Sequence, residues 1–389
     1  MDRELVAKYI ILSRDKKLDY TLPMFSPDEA ESILSYFNAT DIYLTTCNSL
    51  QKTPCYVDKN RCLIFDTGIT EYFALLNLYL ENTSDNQLFD GTVLKLFAES
   101  FYLVGEFNFS ELLLSGYRQY ADILQAGINE HSYKYLKIQE LFVLAHELAH
   151  DRQKNSDFEL SSDFIREKEA LLLFRETGER IITKSHSKKN ADRWSEFFTS
   201  RLDDSNFTEE FVSDSLAIRA IFSVLKVDNE SVYNMASAIV AAIFTQYIVA
   251  SINADARYVC DFISKFNQYR GEPGAFKGEY PVEWADFGTY LVYRYGYVRF
   301  CINTICRDFG ITYEDMKSID NHTFIIGEPF KNLILMKNEA STNIIGLFYD
   351  FVTGINITRD YKEARLNSKS QFSSYAEKFS NWLLSMNKE

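Results

Sequence analysis

Residues 231–254 of this 389-residue chain carry no formally charged side chain. A run of that length has to leave water, and it is long enough either to span a membrane or to form a helix inside the protein. It contains Asn234, Ser237, Thr245, Gln246, Tyr247, Ser251 and Asn253, and no Leu at all. Polar groups at this density need hydrogen-bond partners, which neighbouring protein supplies and lipid does not. The reading is therefore a buried core helix around which the remaining chain must pack. The composition suits such a plan. With Gly at 15 and Pro at 6, both turn-makers fall below their average usage of roughly 7 % and 5 %. Long helices are favoured over a β-sandwich.

Against that helical background, β signals gather near the N-terminus. Residues 41–46 alternate like a strand, and 55–58 and 62–66 flank Lys59-Asn60-Arg61 as two arms of a hairpin. Ser26-Pro27-Asp28-Glu29 is a helix start signal within an amphipathic stretch over 1–40. Further helices are expected over 69–80, 91–107, 110–126, 132–151 and 208–225, with a polar region over 152–209 and an irregular Gly/Pro loop over 268–284. The expected fold class is α+β: a mainly helical catalytic core with a small antiparallel sheet, over 1–225, followed by a helical region over 226–389.

The formal net charge of −14 opposes a non-specific grip on nucleic acid, which needs Lys and Arg to displace counterions. It equally disfavours anionic membrane surfaces, so protein or peptide is the expected partner. Charges interrupt every apolar run at the N-terminus, so no secretory signal is visible. None of the six Cys sits in a CxxC pair. Reduced thiols in a cytoplasmic protein are the expectation.

Only five His are present, and two stand in Leu144-Ala145-His146-Glu147-Leu148-Ala149-His150. With 29 Glu in the chain, chance predicts roughly 0.005 occurrences of H-E-x-x-H. On a helix, positions i and i+4 share one face, so two imidazoles can take two corners of a tetrahedral zinc site. Ile138, Leu141, Phe142, Ala145, Leu148 and Ala149 recur at helical spacing and place the motif on a core-facing helix. Zinc needs a third protein ligand. Gln153 and Ser156 stand where an extended His motif would need Gly and His, so the ligand must come from elsewhere. Glu210 and Asp214, in Glu210-Phe-Val-Ser-Asp214, are one turn apart: Glu210 can bind the metal while Asp214 holds the far nitrogen of a ligand His. Glu167, Glu169, Glu196, Glu209 and His186 are the alternatives for the third ligand.

The pairing of His146-Glu147-x-x-His150 with Glu210-x-x-x-Asp214 resembles the gluzincin metallopeptidases, including the soluble phage-exclusion peptidases of the Lit type. The resemblance covers about ten positions. It implies a zincin-like core, a Zn2+ cofactor, metal ligation by His146, His150 and Glu210, and Glu147 as general base toward water in peptide-bond hydrolysis. It also implies an edge strand upstream of the motif that holds the substrate; 41–46 and 55–66 supply candidates.

The late His-Pro followed by Arg of several related families is absent, and Tyr280, His186 and Arg294 are open alternatives for the group that stabilises the transition state. The aromatic run Tyr290, Tyr293, Tyr295, Tyr297 and Phe300 reads as a core helix, with an aromatic substrate wall as the sharper alternative. A catalytically inactive zinc-binding regulatory protein, and an effector protease delivered into another cell, would share the same motif.

Overall fold

The computed structural model describes residues 23–353, apart from 53, 58–60, 82–85, 119, 123–129, 155–161, 186–191, 193–195, 197–204, 230, 269–281. The expectations placed on 1–22, on Tyr280 and residues 269–281 of the irregular loop, on His186 and on 354–389 lie outside the described residues, while the ends of that loop, Gln268 and 282–284, are helical instead. The described chain is mostly helical. In order it forms α1 (Pro27–Tyr36), β1 (Tyr43–Cys47), β2 (Cys55–Val57), β3 (Cys62–Asp66), α2 (Gly68–Glu81), α3 (Asn86–Leu103), α4 (Phe107–Tyr117), α5 (Glu130–Gln153), α6 (Ser162–Ser185), α7 (Ser205–Val224), α8 (Val232–Gln268), α9 (Val282–Asp308) and α10 (Tyr313–Thr353).

The charge-free run lies in α8. Val232–Cys260 is long and apolar enough to cross a membrane, yet 83 % of its most apolar window is buried within the protein. Helices α2, α3, α5, α9 and α10 all pack on it. Its polar residues take partners as the burial demands: Asn253 accepts a hydrogen bond of 2.5 Å from Ser100 on α3. At the polar end of the same helix, buried Asp255 takes an ion pair of 2.7 Å from Lys337 on α10.

The sheet corrects one expectation. Its strand order is β1-β3-β2, and β1 runs parallel to β3 in the register Tyr43↔Cys62 to Cys47↔Asp66. Only β2 pairs antiparallel with β3, with Cys55 opposite Ile64. The sheet is therefore mixed rather than antiparallel. Alternation within one strand reports which face is buried, not which way a neighbour runs, so the residues of 41–46 could not show it. The central strand β3 is buried throughout.

Asp66 closes β3 by accepting the backbone N–H groups of Ser49 (2.9 Å), Lys52 (2.8 Å) and Gly68 (2.9 Å). That arrangement sends Lys52 inward. Its Nζ lies 2.9 Å from Glu99, while Lys95 lies 2.6 Å from Glu99 and 3.1 Å from Glu71. Tyr72 donates to Glu99 at 2.6 Å. This buried group of two cations and two anions clamps the loop after β1 to α2 and α3.

Helix boundaries follow local chemistry. Ser26 caps α1 with a reciprocal Ser26–Glu29 capping box. The helix expected to run to 107 stops at Leu103, because Gly105 takes a left-handed φ of +89° and the chain turns there. The polar region over 152–209 contains a long helix, α6. Its core stripe is Phe164, Glu167, Leu171 and Phe174, and Glu167 interrupts the apolar periodicity. Fully buried, Glu167 accepts from Arg219 at 2.8 Å and from the Ser215 hydroxyl.

The motif helix α5 is fixed from several sides. Gln139 and Asn77 exchange amide hydrogen bonds of 3.1 and 2.9 Å. Glu140 accepts from Met24 N at 2.5 Å and from the Thr70 hydroxyl. At the far end Arg61 reaches from the start of β3 to Asp151, 2.9 Å away, while also gripping Asp41.

Candidate metal centre

His146 and His150 project from α5 toward α7, which presents Glu210 and Asp214. The two helices are packed against each other over much of their length. Leu141, Phe142, Ala145, Leu148 and Ala149 are buried on α5, and Phe211, Val212, Ala217 and Ile218 on α7. Gln153 ties the pair together beside the site, donating to Ser213 Oγ (2.7 Å) and to the Glu209 carbonyl (3.1 Å). The helical spacing then does the rest, placing Glu210 and Asp214 one turn apart and opposite the two His.

The donor atoms converge. His146 Nε2 and His150 Nε2 are 3.1 Å apart. His146 Nε2 lies 3.4 Å from Glu210 Oε2, and His150 Nε2 lies 3.3 Å from Glu210 Oε1. For a tetrahedral zinc with ligand bonds of about 2.0–2.1 Å, adjacent donors stand about 3.3–3.4 Å apart. The two imidazole nitrogens stand slightly closer than this, and each meets a different oxygen of Glu210, so the three residues are near enough to share one ion. Among the described residues this is the one such group of His, Cys, Asp and Glu, and it has three members. Glu167, Glu169 and Glu209 do not join it. His146 is buried, while the side chains of His150 and Glu210 keep 21 % and 35 % exposure. The centre therefore opens to solvent on the side of His150 and Glu210.

Behind His146 stands Asp214, with Oδ1 3.0 Å from His146 Nδ1 but off the line of a good hydrogen bond. Asp214 is fully buried and is held by Arg294 of α9 through Nε (2.6 Å) and Nη2 (2.7 Å). The third guanidinium nitrogen, Nη1, lies 3.4 Å from Glu210 Oε2. Arg294 thus binds both α7 carboxylates. It stood among three alternatives for a transition-state donor; the structure uses two of its nitrogens on Asp214. The signal that singles it out is its setting, an Arg inside an aromatic helix, because a buried guanidinium requires a carboxylate partner.

The electrostatics follow from burial and these pairs. Burial alone would lower the His146 pKa, but Asp214 and Glu210 outweigh it and raise it to about 9. Burial would raise Glu210, yet the two His and Arg294 hold its carboxyl well below the usual range. Asp214 is likewise held low, its burial being outweighed chiefly by Arg294. Glu147 moves the other way: burial pushes its pKa up, and the neighbouring His146 and His150 only partly oppose this.

The aromatic run of α9 behaves as core. Tyr295 and Tyr297 are buried, and Tyr297 packs on Phe174 of α6 and Phe211 of α7, with ring centroids 5.4 and 5.1 Å away. Among the described residues, the cysteines at 47, 62, 260, 301 and 306 are thiols rather than disulfides. No family model, curated protein or solved structure matches this chain.

Proposed function

We propose that this protein is a zinc-dependent endopeptidase with a gluzincin-type site in a zincin-like core, acting on a protein or peptide substrate in the cytoplasm. The observation that carries the reading is the convergence of His146, His150 and Glu210: the two Nε2 atoms lie 3.1 Å apart, and they meet Glu210 Oε2 and Oε1 at 3.4 and 3.3 Å. These separations let all three residues reach one ion, and they arise from residues singled out by motif and spacing alone. His146, His150 and Glu210 would hold the ion. When bound, Zn2+ supplies Lewis-acid polarisation of a substrate carbonyl and acidification of water.

The remaining work falls to the chain. Asp214 stands 3.0 Å behind His146 Nδ1 while Nε2 faces the centre, and Arg294 holds Asp214 in place. Glu147 is part-buried, and its raised pKa brings it nearer to neutrality, as suits a general base. Its carboxylate takes a proton from the attacking water as the new C–O bond forms. The same proton then passes to the amide nitrogen as the C–N bond breaks, leaving a carboxylic acid and an amine.

Two features favour a catalytic over a purely structural zinc. Three protein ligands leave a fourth position open, and no fourth His, Cys, Asp or Glu among the described residues joins the three. The ligand group also faces solvent through Glu210 and His150. The test combines metal analysis with identification of new protein termini. One zinc per chain is expected after chelator-free purification. New termini are expected in cells expressing wild type and not Glu147→Gln. Absence of metal, or identical termini in both, would remove the proposal.

A further inference from the structure

We infer that Tyr295, seated in a notch at Gly327, is a positioning residue that sets where Arg294 meets Glu210 and Asp214. The inference rests on the zinc reading of those carboxylates. Arg294 and Tyr295 are successive residues of α9, so one cannot shift without the other. Arg294 turns to α7, where its contacts with Asp214 at 2.6 and 2.7 Å and with Glu210 at 3.4 Å leave little tolerance for displacement.

Tyr295 turns into the C-terminal helices and is held on several sides. Its hydroxyl donates to the Thr323 carbonyl of α10 at 2.8 Å. Its ring packs on Phe244 of α8, with centroids 5.2 Å apart. Phe244 in turn stacks on Phe330 of α10 at 4.6 Å, with the rings 8° from parallel. The guanidinium of Arg299 lies 5.7 Å from the Tyr295 ring centroid and is itself bound to Asp320 of α10 at 2.8 Å.

The notch makes this seat specific. Gly327 is buried in the middle of α10, where glycine is disfavoured because it costs backbone entropy. A Cβ added there would overlap the Tyr295 hydroxyl and stand 3.0 Å from Cε2. The ring therefore occupies the space that any other residue at 327 would need. Its ties to Thr323 and Phe244 oppose a simple swing aside, so a side chain at 327 would displace α9 at the residue adjoining Arg294. Gly327 and Tyr295 touch no ligand; they act through Arg294.

The experiment is a double-mutant cycle on the full chain, reading Zn2+ affinity by chelator competition alongside the unfolding midpoint. Gly327→Ala is expected to weaken zinc binding about 10-fold in the wild-type background, the low end for loss of an outer-shell partner. In the Arg294→Met background the same substitution should weaken it less than about twofold, because the contact it acts through is already gone. A merely structural role would lower the midpoint and weaken zinc equally in both backgrounds, and that result would overturn the inference. So would a folded Gly327→Ala with unchanged zinc affinity. If Gly327→Ala does not fold, Tyr295→Phe keeps the ring and removes the tie to Thr323; it should show the same background dependence at about threefold, and equal losses would overturn the inference. Failure of wild type to bind one zinc has a separate meaning: it removes the proposed metal site, and this inference with it.

Discussion

Zinc binding and protonation should compete for His146, and the competition has a worked size. In the metal-free protein, Asp214 at 3.0 Å and Glu210 at 3.4 Å raise its pKa from an ordinary 6.5 to about 9. A histidine with a raised folded pKa stabilises the fold fully below its unfolded pKa and loses that contribution as pH rises through the folded one. The metal-free protein should therefore lose roughly 3 kcal/mol of stability between about pH 6.5 and pH 9. Zinc needs the neutral ring, so binding must expel this proton. Apparent affinity should then climb roughly 50-fold between pH 7 and pH 9, nearly all of it below the pKa. The assay is chelator competition at several pH values, corrected for zinc hydrolysis and buffer binding, paired with denaturant unfolding of metal-free and zinc-loaded protein. The zinc-loaded form should show little of the metal-free loss. An affinity flat to within threefold from pH 7 to pH 9 would refute the assignment of His146 as a ligand facing two carboxylates. In Asp214→Asn both slopes should shrink, since the first of the groups that raise His146 is gone.

Glu147→Gln should retain one zinc per chain and lower peptide hydrolysis by roughly 10²–10⁴-fold, the range for a general base; a variant that loses its metal would place Glu147 among the ligands. Glu140 is buried and its pKa is raised to about 7, mainly by that burial. A carboxyl raised in the fold costs stability as pH climbs from about 4.5 to 7, so Glu140→Gln should flatten that fall, and denaturant midpoints at pH 5 and pH 8 read it directly. Lys52→Met leaves Glu99 buried beside one fewer cation and should cost about 3–5 kcal/mol in the same unfolding assay, with no change in zinc content.

Much of the candidate centre was legible because helical spacing is a local property. His146 and His150, and likewise Glu210 and Asp214, lie four residues apart, and any helix puts such pairs on one face. The pairing of the two helices was not local. It depends on Phe211, Val212 and their partners on α5 filling a shared core, and only the i,i+4 match of the acidic pair hinted at it. Arg294 lay further out of reach, because an arginine within a run of tyrosines does not declare which carboxylate it meets. The parallel course of β1 beside β3 was hidden for a different reason: β2 intervenes in sequence yet sits on the outer side of β3. In α6, buried Glu167 stands at a position where the helical pattern calls for an apolar residue. Its partner Arg219 is on another helix, so the stripe reads as broken until the two are seen together. The charge-free helix was the reverse case, since burial of such a run is dictated by solvation alone.

The reach of Arg294 also sets a timetable for synthesis. About 150 residues separate it from His146, and α8, on which the motif helix packs, is made in between. At a ribosomal rate of about 5–20 residues per second, the motif waits roughly 7–30 s for its last electrostatic partner. Until α8 (Val232–Gln268) is made, the apolar faces of α2, α3 and α5 lack the helix that covers them. A nascent chain in this state presents oily surface and two unguarded imidazoles to the cell. Metal loading is therefore expected to follow synthesis of Arg294, and chaperone demand to peak before α8 emerges. Ribosome-bound chains halted after residue 225 should bind zinc weakly compared with the finished protein.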